Sequence, residues 1–551
     1  MDLAFLSILI GLPALFALLV AFFPERLART LGLFGAWCTF ALSVAMMVLH
    51  GAANANGFFF AKDYYWLTDL GISFKVGADG PAMLLVVLTT FLTAFAVQSS
   101  QNTIRDNQKA FYALMLFMEA AMIGAFVSLD LILFYIFFEA VLIPAYFLIG
   151  MYGGRNRVAA GLKFLLYTLV GSLLMLVSII ALYLHAGKTF DYEKILQAVT
   201  DAPMTGGLAA VAFGGFALAF AIKTPLFPFH TWLPDTYVES PTPVTVVLAG
   251  AMGKLGVYGF YRFVIPLFPD LSRQAAPAFV WFAVIAIIYG ALVAAMQRDT
   301  KRLIAYSSVS HLGFIILGLF SGTAHGVSGA MLQAINHGVT TGALFLIAGI
   351  LYERRGSDRI ASYGGLWEQM PVFGRMFLIV TFSAIALPLT NGFAGEFLIL
   401  LGAFQTHPIA AGIATTGVIW SAVYMLGMFQ RVMYGPSKRP EVRRMHDLSR
   451  SETGWLAPFV AVIFLFGIAP YVFTRMMDAS VASVVERFNR ETAGNSGGGG
   501  VPALTPSFAI PTGETDAEAP VGGGELPASG APTGPVETPA ADAVIAPENI
   551  P

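Results

Sequence analysis

The sequence predicts an all-α polytopic membrane protein of about 14 transmembrane helices. Three observations carry that prediction. The chain has 551 residues, of which 57% are hydrophobic and only 12% charged, whereas a soluble domain carries about a quarter charged residues. That deficit excludes a water-soluble globular enzyme, and the apolar excess excludes fibrous and wholly disordered classes. The apolar residues also fall into runs near the roughly 20 residues that cross the hydrocarbon core. Finally, Lys and Arg gather in alternate connections, as the positive-inside rule requires.

The runs fall in order along the chain. The first, 3–23, follows Asp2 rather than a basic stretch and ends in Phe22-Phe23-Pro24-Glu25, so it reads as a retained span and not a cleaved leader. A second covers 30–50. The loop 51–79 carries Tyr64, Tyr65 and Trp66, suited to an interfacial belt or a short hairpin. Spans follow at 80–98, 111–128 and 131–150, the last two divided at Ser128-Leu129-Asp130. Then come 161–185, 207–227, 242–265, 277–296, 303–320 and 327–351. The 372–403 stretch is too long for one ordinary span and is interrupted by Pro388 and Gly392. The series closes with 410–433 and 455–475.

With the N-terminus outside, the inside connections hold eighteen Lys and Arg and the outside ones five, Lys62, Lys75, Lys188, Lys194 and Arg273. The expected divisions are 1–110 (three spans), 111–265 (helices 4–8), 266–434 (helices 9–13), 435–490 (the last span) and 491–551. The final segment holds eight acids and no Lys or Arg, and its Gly/Pro-rich composition reads as a disordered tail without chemistry. A single cysteine, Cys38, allows no internal disulfide and no zinc, iron–sulfur or haem-attachment spacing, so no metal is expected. Phosphate-loop and dinucleotide-loop motifs are absent, and nothing favours nucleic acid.

Charges inside the runs carry the functional argument, because insertion scales put a mid-helix charge at about 2.5–3.5 kcal/mol. They are Glu119, Glu139, Lys223, Lys254 and Glu396, with His230, His311 and His337. Glu139 stands nine residues after Asp130, about 13 Å deep at 1.5 Å per residue. It is either a proton-exchanging carboxylate or a bundle-joining residue satisfied by a neighbour. Lys223 precedes Pro225, Pro228 and Pro234, which break the helix just beyond it; the alternative is a lysine that snorkels. A nearby carboxylate stabilises a buried ammonium and its withdrawal destabilises it, so the Glu139–Lys223 separation can act as a switch. Lys254 lies deep in its span among Gly253 and Gly256. Glu396 follows the second break, at Pro388 and Gly392. Two interrupted helices, one in each five-helix half, predict inverted repeats around a transport site. His311 and His337 read equally as proton relays or satisfied core histidines. Glu119 reads as a second path or as the partner of a basic group, and Arg262 as an anchor at a span end.

The stretch Lys223-Thr224-Pro225-Leu226-Phe227-Pro228-Phe229-His230-Thr231-Trp232-Leu233-Pro234-Asp235, read with Gly253-Lys254-Leu255-Gly256, resembles a known family. That family is the proton-conducting membrane domain shared by complex I antiporter-like subunits and multisubunit Na+/H+ antiporters. Phe138-Glu139-Ala140-Val141-Leu142-Ile143-Pro144 and Asn391-Gly392-Phe393-Ala394-Gly395-Glu396-Phe397 resemble its chain-M (chain 4) branch, from NADH:quinone oxidoreductase. One departure is Tyr237, where many relatives have a histidine.

The resemblance implies a proton-translocating subunit of the inner (cell) membrane, with no redox centre of its own. NADH, FMN, iron–sulfur clusters and quinone would sit in partner subunits, the nearest partners being other membrane-arm, antiporter-like subunits. Glu139 would pair with Lys223, Lys254 would be the central carrier, and Glu396 the terminal group, with His230, His311, His337 and Glu119 as lesser members. A signal from a neighbouring subunit would change the Glu139–Lys223 separation. The proton would then pass from Lys223 through Lys254 to Glu396. The alternatives are a subunit of a multisubunit Na+/H+ antiporter or of a membrane-bound hydrogenase.

Overall fold

The computed structural model describes residues 5–50, 57–101, 103–436 and 439–490. The acidic segment 491–551, and the expectation attached to it, lie outside the described residues. The helices, in order, are α1 (Phe5–Phe22), α2 (Glu25–His50), α3 (Gly80–Ser99), α4 (Gln108–Val127), α5 (Leu131–Ala140), α6 (Leu142–Tyr152) and α7 (Arg157–His185). They continue with α8 (Tyr192–Asp201), α9 (Gly206–Lys223), α10 (Trp232–Glu239), α11 (Thr242–Leu267) and α12 (Pro269–Ala295). The series ends with α13 (Thr300–Leu319), α14 (Ala324–Arg355), α15 (Pro371–Ala384), α16 (Asn391–Thr406), α17 (Pro408–Met433), α18 (Arg450–Ile468) and α19 (Pro470–Asn489). Counting α5 and α6 as one bent span, 13 are long and apolar enough to cross a membrane among the described residues. The shorter α15 and α16 together make the fourteenth crossing, the overlong stretch of the sequence.

Burial sorts the spans into an inner and an outer set. In α11 and α14 the whole apolar window is buried, while in α1 and α2 only a third of it is. The outer helices leave large apolar side chains such as Leu15, Phe34, Val170 and Ile419 exposed, as lipid-facing helices do.

One end of the bundle is closed by a hairpin, β1 (Phe59–Leu67) and β2 (Ile72–Ala78), paired antiparallel. Three of the helices that begin here, α3, α5 and α8, are capped by acids. Asp79 accepts from Ala82 N at the start of α3, Asp130 from Ile132 N and Leu133 N at α5, and Asp191 from Glu193 N and Lys194 N at α8. Each cap satisfies donors that the helix itself leaves open. The hairpin is bonded to the same acids: Ser73 N donates to Asp130 Oδ2 at 3.1 Å, and Lys75 Nζ contacts Asp191 at 2.9 Å and Glu193 at 2.6 Å. The opposite end is basic and cross-braced, with Arg354 bonded to Glu452, Asp299 bridged to Arg359, and Gly154 N donating to Glu239 O.

Two crossings are interrupted. The first enters as α9 from the hairpin end, stops at Lys223, and resumes as α10. The second enters as α15 from the basic end, stops at Ala384, and resumes as α16. Their opposite directions are what inverted repeats require. In the second break Ala386 and Leu389 hold φ of +56° and +72°, a left-handed conformation costly for residues with a Cβ.

Three expectations change. The last span is not 455–475: it ends at Ile468, because Pro470 cannot continue the ladder and instead opens α19, which packs on α3, α12 and α14. Arg262 is not an interfacial anchor: it is buried and ion-paired with Asp79, because the turn that carries it faces into the bundle. Glu119 pairs with no basic group: both of its carboxylate oxygens are buried without a hydrogen-bond partner.

Burial alone would lower the Lys75 ammonium, but its bonds to Glu193 and Asp191 outweigh that and hold it above the usual 10.5. Its stabilisation is therefore intact below that value and is lost only as pH climbs past it. Lys75→Met leaves the buried Asp191 carboxylate without its nearest cation while the exposed Glu193 returns to water, an expected loss of about 1–3 kcal/mol, read as a lower denaturation temperature and faster protease cleavage in 57–79.

Candidate functional site

Glu139 sits near the end of α5, just before the bend at Val141, toward Ser172 of α7 and Lys223 of α9. It lies beside the Ser172 hydroxyl and within electrostatic reach of Lys223, and its Oε1 is buried without a hydrogen-bond partner. Lys223 is the last residue of α9 and is 1% exposed. Its ammonium has no hydrogen-bond partner and rests over the Phe138 ring at 4.7 Å and the Phe164 ring at 5.9 Å. A cation on an aromatic face gains about 2 kcal/mol when desolvated, less than a tight carboxylate pair supplies. The lysine is thus held in a loose site from which a proton can leave.

Backbone groups of the break beyond Lys223 find partners, while the Thr224 hydroxyl is buried without one. The Trp232 indole donates to Ile222 O at 3.0 Å, and Thr224 N and Leu226 N reach back to Phe220 and Ala221. His230 lies past the break, stacked on Phe227 and edge-on to Tyr289, with Nδ1 unpartnered. Beside it, Lys163 bonds Thr231 O and Asp235, which also meets Arg302. This polar cluster lies at the basic end, away from the Lys254–Glu396 line.

Lys254 lies at the centre of α11, fully buried. A π-turn at Leu248–Met252 precedes it. There Gly253 N bonds Leu248 O, and the Lys254 ammonium donates to Ala249 O at 2.6 Å. Its second bond joins His337 Nδ1 at 2.8 Å. Two close approaches make this fit. A Cβ on Gly256 would stand 2.7 Å from Thr224 N, so α11 touches the first break directly. A Cβ on Gly338 would stand 2.6 Å from Gly250 O, so α14 presses His337 against the π-turn.

From His337 the line continues. Its ring centre lies 5.8 Å from that of His311, and His311 Nδ1 meets Glu396 Oε1 at 2.8 Å. Both rings line a cavity of about 10 Å³ with Ser307, Gln333, Asn336 and Thr340, the space of about one water. The Gln333 amide adds a second donor to Glu396 Oε1 at 3.0 Å. Glu396 itself begins one turn into α16, whose first residue is locked: Asn391 and Asn336 exchange amide-to-carbonyl bonds of 2.7 and 3.1 Å. Lys254, His337, His311 and Glu396 therefore form one buried polar line between the first half and the second. Among the described residues no three His, Cys, Asp or Glu side chains converge as metal ligands do.

The family model for the transmembrane domain of NADH:quinone oxidoreductase and the Mrp antiporter matches residues 128–421. NADH-quinone oxidoreductase subunit M of Rickettsia prowazekii is 40% identical over 494 residues, covering 89% of this chain and all of that protein. The chain belongs to the subunit M family of NADH-quinone oxidoreductases. A second subunit M, from Rhodobacter capsulatus, is 40% identical over 86% of this chain and 94% of its own. Among solved structures, a chain of respiratory complex I from Thermus thermophilus with bound NADH superposes with a TM-score of 0.81 at 35% identity, covering 88% of this chain and all of that one. A chain of the Mrp complex from Dietzia shares the fold at TM-score 0.75 and 22% identity, over 88% of this chain and 52% of its own.

For this subunit M family member the sequence found Lys254, His311, His337 and Glu396, which the fold brings together. It also found Glu139 and Lys223, which form a separate, looser pair. Glu119 and His230 stand apart from both. Reading by charge missed Gln333, Asn336 and Asn391, which are uncharged. Only the spacing hints at Gln333, one turn before His337. A methyl at the helix contact tests the packing: Gly338→Ala should cost about 1–3 kcal/mol by overpacking, seen as a lower denaturation temperature of the purified complex.

Proposed function

We propose that this chain is the proton-translocating membrane-arm subunit of an NADH:quinone oxidoreductase, and that Glu139, Lys223, Lys254 and Glu396 carry the proton. The observation that supports it most is the hydrogen-bonded line Lys254–His337 and His311–Glu396 inside the bundle. A charged residue at that depth is costly, and it is a functional group by default.

The proton steps follow from the donors and acceptors. The Lys254 ammonium already donates to His337 Nδ1. A histidine that takes a proton at one nitrogen releases one from the other, and His337 Nε2 is unpartnered. The small cavity between the rings lets one water bridge to His311. His311 then gives its Nδ1 proton to Glu396 Oε1, with Gln333 steadying that oxygen. Lys254 reloads from Lys223 across the Gly256 contact. When Glu139 moves away from Lys223, the ammonium loses its counter-charge and its proton goes forward.

In this reading protons enter at the basic, cytoplasmic end past His230 and leave at the hairpin end, and the N-terminus lies outside. Glu119 is a reserve group off the main line. NADH, FMN, iron–sulfur clusters and quinone belong to partner subunits, and other antiporter-like subunits flank this one in the membrane arm. The Na+/H+ antiporter and hydrogenase readings gain less support, since the likeness to the Mrp chain is one of fold alone.

The test uses membrane vesicles that carry the intact complex. Lys254→Met and Glu139→Gln should each lower NADH-driven proton uptake about tenfold or more, with quinone reduction falling alongside it. NADH–ferricyanide activity reports assembly. Full pumping in an assembled Lys254→Met complex would sink the proposal.

A further inference from the structure

Lys254 has a shorter way out than the one through the histidines. Tyr258 and Arg262 follow it at i+4 and i+8, on the same face of α11. Eight residues rise about 12 Å, from the centre of the bundle to its hairpin end. A proton on Lys254 that took this line would leave without passing Glu396.

Beyond Tyr258 the line is blocked by the Arg262 guanidinium, which has no capacity to carry a proton. Arg262 Nε donates to Tyr258 Oη at 3.1 Å, and its Nη2 bonds Asp79 Oδ2. Asp79 Oδ1 is engaged by Ala82 N. Arg262 and Asp79 are 6% and 3% exposed. Around the guanidinium stand the rings of Phe58 at 4.9 Å, Tyr258 at 5.3 Å, Tyr261 at 5.5 Å and Tyr192 at 6.0 Å. A second π-turn, Phe260–Val264, turns Arg262 inward to this place.

A buried ion pair is weak evidence of stabilisation, because apolar side chains would fill the same space as well. A guanidinium does not deprotonate in proteins, so it accepts no proton to pass on. Fixed positive charge at a constriction also repels protons and cations. We propose that Arg262, held by Asp79 and boxed by aromatic rings, is an insulating plug. It closes the direct route from Lys254 to the hairpin end, so that the proton leaves sideways through His337 and His311 to Glu396. The proposal rests on the reading of Lys254 as a proton carrier.

The experiment imposes a pH gradient on vesicles carrying the intact complex, without NADH, and follows its decay with a pH-sensitive dye. Arg262→Gln should speed the decay about tenfold, while NADH oxidation continues and builds little gradient. Arg262→Lys keeps a cation against Asp79 and should stay tight. Adding Lys254→Met to Arg262→Gln should restore tightness, because the leak starts at Lys254. Wild-type decay in an assembled Arg262→Gln complex overturns the plug. If that variant does not assemble, the neutral pair Asp79→Asn with Arg262→Gln replaces it, with the same leak expected and the same tight result overturning it. Lys254→Met alone, scored for pumping, tests the carrier reading separately.

Discussion

A charge at the centre of a membrane must be met by partners inside the protein, and the Lys254 ammonium meets this demand with two. Ala249 O and His337 Nδ1 lie 2.6 and 2.8 Å away. Neither would be available in an ordinary helix pair. The carbonyl is reached across the π-turn at Leu248–Met252, and the imidazole comes close only because Gly250 and Gly338 let α11 and α14 touch backbone to backbone. Local helix geometry, helix packing and proton chemistry are thus one constraint. The lysine's partner is an imidazole, so under the proposed function the bond that steadies it is also the route by which it gives up its proton. A carboxylate there would hold it more firmly and pass it on less readily.

Lys223 shows the opposite solution. It has no hydrogen-bond acceptor and lies over aromatic rings, with Glu139 near but not bonded to it. The bend at Val141 sets the end of the helix that presents Glu139, and the Asp130 cap fixes its start. Small changes in that short helix would alter the Glu139–Lys223 separation without disturbing the tight contacts around Lys254. The first half of the bundle therefore contains the loosely held pair, and the line of bonded groups runs from Lys254 into the second half. The broken helices suit this division: each opens its backbone at the depth where an ionisable side chain must be reached.

The sequence made the membrane class, the spans and most charged site residues legible, because hydrocarbon imposes length and charge rules that act residue by residue. Pro225 and Pro388 marked both breaks for the same reason. Other features were less legible because they depend on which helix meets which. Gln333, Asn336 and Asn391 are uncharged, and amides in a span are common enough to pass unnoticed until the fold aligns them. Pro470 was visible, but whether it bends a span or begins a new helix depends on the surface beneath α19. Arg262 was misread because its position near a span end suggests snorkelling. Only the second π-turn and Asp79, which is distant in sequence, reveal that it faces inward.

The two lines that lead away from Lys254 differ in one respect. From Lys254 to Glu396 each polar group has a neighbour able to donate or accept, and no arginine intervenes. Along α11 toward the hairpin end the next charged group is a guanidinium already committed to Asp79 and Tyr258. The proposed carrier role of Lys254 needs such asymmetry, since a proton free to leave by the shortest path would do no work. Here the asymmetry comes from side-chain chemistry: imidazoles that exchange protons lie on one side of the lysine, and a guanidinium that does not lies on the other.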